Sequence, residues 1–80
     1  MSRGNISSGN EKKETVIVSR IRDLGNKIQF MVKEHQNVYF EVDVNLSLDA
    51  RFLQVGDKIN ITYKENLGYN LVLLLEKINE

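Results

Sequence analysis

Residues Val38–Leu48 alternate for eleven residues without a break. Val38, Phe40, Val42, Val44, Leu46 and Leu48 fall on one side. Tyr39, Glu41, Asp43, Asn45 and Ser47 fall on the other. A helix turns by about 100° per residue and would scatter both sets around its circumference; a strand sends successive side chains to opposite faces. The run predicts a long β-strand with one buried and one wet face, and it excludes an all-helical chain.

The same period recurs along the chain. Thr15–Arg22 is rich in β-branched residues, with Val16 and Val18 on one face and Ile17, Ser19 and Ile21 on the other. Asp23-Leu24-Gly25-Asn26 is a turn signal. Lys27–Lys33 places Ile28, Phe30 and Val32 inward and Gln29, Met31 and Lys33 outward, and Glu34–Asn37 turns the chain again. Asp49–Gln54 breaks the alternation, and its adjacent Phe52 and Leu53 suit a short helical turn that plugs one end of a barrel. Lys58–Lys64 resumes with Ile59, Ile61 and Tyr63 inward. Tyr69–Ile78 is apolar on both faces, with Leu71, Leu73 and Leu75 opposed to Val72, Leu74 and Ile78. The uninterrupted Leu71 set is assigned to the core, because Glu76 breaks the other row.

A chain of 80 residues holds one domain. Five strands in about 65 residues cannot build a two-sheet sandwich with a full core, whereas closing one sheet removes its edges and buries the alternating face. The expected fold is all-β. It is a small five-stranded barrel of the oligonucleotide/oligosaccharide-binding (OB) type, with a short helical turn between strands three and four. An SH3-like barrel is the second choice. Residues 14–80 form this domain. Met1–Lys13, mostly Ser, Gly, Asn and charge around a lone Ile6, is expected to be a disordered tail.

The chemistry available is sparse. There is no Cys, and the single His35 lies in a turn, where a polar side chain usually faces water. No second His or Cys completes a metal set, and Glu41 with Asp43 supplies too few oxygens for a hard cation. The glycines at 25, 56 and 68 stand singly at turns and form no phosphate-cradling loop. The chain is read as a non-enzyme without cofactor, metal or small-molecule substrate. No apolar run approaches the roughly 18 residues that span a bilayer, so no membrane is expected and the place assigned is cytoplasmic.

Lys plus Arg equals Asp plus Glu at 11 each, which argues against a chain built chiefly to neutralise phosphates. The outer face of strands two and three offers one aromatic, Tyr39, and two carboxylates, Glu41 and Asp43, where phosphates should pass. Arg20, Arg22, Lys58 and Lys64 could form a modest basic strip, and with Tyr39 they are the residues of a direct single-strand DNA or RNA reading, kept as the alternative. A protein partner fits better. A barrel buries only one face of Tyr69–Ile78, so Val72, Leu74 and Ile78 are expected to meet that partner.

Val38–Lys64, VYFEVDVNLSLDARFLQVGDKINITYK, resembles the central part of the RNA polymerase subunit eight family. The likeness rests on Val42-Asp43-Val44-Asn45, the apolar plug Phe52-Leu53 and the strand Lys58–Tyr63. In length, in its Ile, Lys and Asn bias and in lacking Cys, the chain is also similar to the small accessory subunits of crenarchaeal family-B replicative DNA polymerases. These resemblances imply an OB-type barrel that docks on a large catalytic polymerase subunit and stabilises the assembly, touching nucleic acid only indirectly or weakly.

Overall fold

The computed structural model describes residues 11–78. Five strands and one 3₁₀ turn follow one another: β1 (Glu11–Asp23), β2 (Lys27–Val32), β3 (His35–Asp43), the 3₁₀ turn (Leu48–Phe52), β4 (Lys58–Asn66) and β5 (Tyr69–Lys77). They close into a barrel in the order β1-β2-β3-β5-β4. Together with the 3₁₀ turn between β3 and β4, this is the OB-type barrel expected from the sequence.

Closure depends on β1, which serves two neighbours. Its first half pairs with β4 from Glu11↔Lys64 to Ile17↔Lys58. Its second half pairs with β2 from Val18↔Val32 to Asp23↔Ile28, with a register shift between Val18 and Arg20. A bulge of this kind bends a strand and raises its twist, which lets one strand turn a barrel corner. On the far side β3 and β5 meet in parallel through Phe40↔Asn70 and Glu41↔Leu71.

The core follows the alternation in β2 and β4: Ile28, Phe30, Val32, Ile59, Ile61 and Tyr63 are all buried. Phe40 lies at its centre, stacked on Phe30 at 5.5 Å and meeting Tyr63 edge-on at 5.1 Å. Such aromatic pairs add about 0.5–1.5 kcal/mol each beyond their buried area.

In four places the chain departs from the simple pattern. Strand β1 starts at Glu11, so Glu11–Lys13 belong to the barrel instead of the tail; residues 1–10, Ile6 included, lie outside the described residues. Cross-strand pairing with Thr62, Tyr63 and Lys64 gives this charged stretch its place.

Strand β3 ends at Asp43. The Asp43 carboxylate accepts the Asn45 N–H at 2.8 Å, and the Asp43 carbonyl accepts the Leu46 N–H at 3.0 Å. This Asx-type turn takes the chain off the ladder. Val44 stays in the core, but Leu46 and Leu48 emerge into solvent.

The plug is turned over relative to expectation. Ala50 and Leu53 point inward, and Phe52 is exposed.

In β5 a register shift opposes Tyr63 to Val72 but Thr62 to Leu74, leaving Leu73 as the extra residue. Burial therefore changes parity, from Asn70 and Val72 to Leu75. The Leu71 set is not the core row: only Leu75 of the three is buried.

Candidate functional site

The connection from β3 to β4 carries apolar side chains on its outside. Leu46, Leu48, Phe52 and Val55 are 58, 75, 66 and 64% exposed. Their backbone is pinned to the barrel at both ends. The Ser47 hydroxyl donates to the Leu75 carbonyl at 3.0 Å, the Asp49 carboxylate accepts the Lys77 N–H at 3.2 Å, and Lys77 Nζ donates to the Phe52 carbonyl at 3.0 Å. Beyond the turn, Gly56 N–H donates to the Val18 carbonyl at 2.8 Å and Val18 N–H to the Asp57 carbonyl at 2.9 Å. Asp57 also accepts the Gln54 N–H at 2.8 Å and pairs with Lys77 at 3.2 Å. A tethered backbone with outward apolar side chains keeps its shape when a partner covers it, so little ordering cost is left for binding.

The partner face expected on β5 does not form as one surface. Val72 is wholly buried and belongs to the core. Leu74 faces solvent, and Ile78 is half-buried with its N–H donated to the Lys58 carbonyl at 2.9 Å. The bulge at Leu73 separates Val72 from Leu74, because it shifts the parity between them. Sequence reasoning placed Leu46 and Leu48 inside, since their spacing continues that of the core residues before them, and Phe52 inside as part of the plug. The Asp-x-Asn turn signal at Asp43 was the available clue that the strand stops.

Of the residues in the nucleic-acid reading, three come together. Arg20, Arg22 and Tyr39 border a groove of about 310 Å³ over β1, β2 and β3, with Gln29 and Met31 on its walls. Lys58 and Lys64 are elsewhere, on β4, opposite Ile17 and Glu11. Glu41 is neutralised by Lys27 at 3.1 Å and accepts the Gln29 amide at 3.3 Å.

A third feature was not foreseen. Glu14 accepts hydrogen bonds from His35 Nε2 at 2.8 and 2.9 Å and from the Tyr63 hydroxyl at 2.9 Å, joining β1, β3 and β4. Burial alone would raise the Glu14 pKa, but the bonds from His35 and Tyr63 outweigh it and hold the carboxyl below its usual range. Burial, then the bond to Glu14, pushes Tyr63 up to about 12. The shared parity of Glu14 with Val16 and Val18 was the signal in the sequence.

Among the described residues no group of three or more His, Cys, Asp or Glu side chains is arranged to hold a metal ion. No helix among them is long and apolar enough to cross a membrane. Comparison with known proteins gives no matching family model, no matching curated relative and no matching solved structure.

Proposed function

We propose that this chain is a non-catalytic docking subunit that seats the apolar connection between β3 and β4 on the large catalytic subunit of a replicative polymerase. The observation that carries the docking is the tethered connection with Leu46, Leu48, Phe52 and Val55 turned outward. Covering such side chains contributes up to roughly 1.5–3 kcal/mol each, set against about 8 kcal/mol for a micromolar complex. Leu74, exposed on β5, is a further candidate contact. The choice of a polymerase rests on the resemblance of Val38–Lys64 to RNA polymerase subunit eight, a segment that contains the whole connection, and the choice of a replicative one on the similarity in length and composition to the small accessory subunits of family-B replicative DNA polymerases.

Co-purification of the tagged protein from its native cell tests the reading. A large polymerase chain in stoichiometric amount is expected with the natural sequence. It should be lost with Phe52→Glu, which places an unpaired charge in the interface without touching the core. Retention of that chain by Phe52→Glu and by Leu48→Glu would remove the connection as the docking element. Recovery without any polymerase chain would remove the polymerase.

A further inference from the structure

Strand β1 leaves part of one edge open. On its β4 side the last backbone bonds are those of Val18, whose N–H donates to the Asp57 carbonyl at 2.9 Å and whose carbonyl accepts the Gly56 N–H at 2.8 Å. Beyond them the register shift at Ser19 carries the strand on beside β2 alone. Leu24 N–H donates to the Lys27 carbonyl at 3.0 Å, and bonded pairs alternate along an antiparallel ladder. Arg22 and Arg20 are therefore bonded to Gln29 and Met31, while the N–H and C=O groups of Ile21 and Asp23 point away from β2. No backbone group among the described residues meets them there. The outer edge of β5 is different, because the connection covers it: the Ser47 hydroxyl donates to the Leu75 carbonyl, and the Asp49 carboxylate accepts the Lys77 N–H. The outward side chains beside the open edge carry one sign. Arg20 and Arg22 stand two residues apart, about 7 Å on an extended strand. Neither has an ion pair or a side-chain hydrogen bond among the described residues. Ile21 between them packs half-buried against the core, and the Asp23 carboxylate is engaged by the Gly25 N–H at 2.8 Å.

We infer that this edge takes up an extended acidic segment of a partner protein as an added β-strand, with residues of the form acid-apolar-acid across from Arg20, Ile21 and Arg22. Backbone bonds to Ile21 and Asp23 supply the attachment, as in strand addition to any exposed sheet edge. Side chains directly across two strands are about 4.5–5.5 Å apart. Carboxylates at the outward positions of the segment therefore reach the two guanidiniums, and the residue between them lies beside Ile21. The same pattern keeps off a second copy of this chain. In two-fold antiparallel pairing, setting Ile21 opposite Asp23 sets Arg22 against Arg22, and setting Ile21 opposite Ile21 sets Arg20 against Arg22. Like charges directly opposite are destabilising. An open edge is a liability that proteins guard with charge, and here the guard is of a kind that an acidic strand satisfies. The edge uses none of Leu46, Leu48, Phe52 and Val55, so it and the apolar connection stand or fall separately.

Nuclear magnetic resonance of the isotope-labelled full chain with the synthetic peptide TEVEVET tests it. Without peptide, the amides of Ile21 and Asp23 are expected to exchange with solvent faster than those of Arg20 and Arg22, which β2 holds. Millimolar TEVEVET should shift the Ile21 and Asp23 amide signals and slow their exchange. The lysine counterpart TKVKVKT should do neither, and nor should TEVEVET with its five central amides N-methylated. The double variant Arg20→Glu, Arg22→Glu is expected to weaken TEVEVET roughly 2- to 25-fold, as the loss of two exposed ion pairs does, and to admit TKVKVKT. Both side chains are exposed, and an unchanged melting transition establishes that the variant is folded. The inference is overturned if Ile21 and Asp23 exchange as slowly as Arg20 and Arg22, or if millimolar TEVEVET leaves their signals unmoved. It is also overturned if the lysine or the N-methylated peptide shifts them as far. Protection of those amides that grows with protein concentration and needs no peptide overturns it equally, because a second copy then fills the edge.

Discussion

The Tyr63 hydroxyl donates to the Glu14 carboxylate at 2.9 Å, and the same carboxylate holds His35. Residues from β4, β1 and β3 are thus tied by one anion. Glu14 is held below its usual pKa when folded, so its contribution to stability is present above the unfolded carboxylate value and is lost as pH falls through the folded one. Tyr63 is shifted upward, so its contribution is complete below about pH 10 and fades as pH rises through about 12. Glu14→Gln should remove the Glu14 share of the acid limb of a melting-temperature profile. It should also draw the phenolate titration of Tyr63, followed by ultraviolet absorbance, down from about 12. An unmoved Tyr63 titration would show that Glu14 takes no part in setting its value.

The plug offers a second comparison. Phe52 is largely exposed, whereas Ala50 is almost wholly buried under the barrel. Phe52→Ser should change unfolding free energy by no more than about 0.5 kcal/mol, as an exposed substitution does. Ala50→Leu should cost about 1–3 kcal/mol, because a packed site has no room for three added carbons. Urea unfolding of both variants decides it, and the reverse order would restore Phe52 as the plug.

How far the sequence could be read follows from where its period is regular. In β2 and β4 nothing disturbs the alternation, and their inward residues are legible one by one. At Val18–Arg20 and at Leu73 a bulge inserts a residue, and every position beyond it changes face. Tyr39 was legible as an outward residue from the alternation of β3, whereas Arg20 and Arg22 share the parity of the buried Val16 and Val18 and face outward only because of the bulge. The meeting of all three in one groove was not legible, because it depends on β1 leaving β4 for β2 at the bulge. At Asp43 a local side-chain bond overrides a longer hydrophobic pattern, which is how Leu46 and Leu48 come to be outside.

Gly56 isolates backbone strain from packing. Its φ is +97°, and an added Cβ would meet nothing within 4 Å. Gly56→Ala should therefore destabilise by about 1–3 kcal/mol through conformation alone. Because Gly56 N–H bonds to Val18, relaxation of the turn should also speed amide exchange at Val18, whose N–H is held by the Asp57 carbonyl. Hydrogen exchange reads both, and an unaffected Val18 amide would show that the turn yields without loosening its tether.

The bulge in β5 gives the sharpest test of the fold, since three successive leucines have three environments. Leu73 is the bulged residue and half-buried, Leu74 is exposed, and Leu75 is buried in the core. Leu75→Ala should cost about 2–5 kcal/mol through the cavity it leaves. Leu74→Ala should fall within about 0.5 kcal/mol of the natural chain. Leu73→Ala should fall between them, because part of its side chain is in water already. An unbulged strand would put Leu73 and Leu75 on the same face and make their costs alike. Equal losses at those two positions in urea unfolding would therefore abolish the bulge and return Leu73 to the core row, whereas the graded order fixes the change of face between Val72 and Leu74 that leaves Val72 inside.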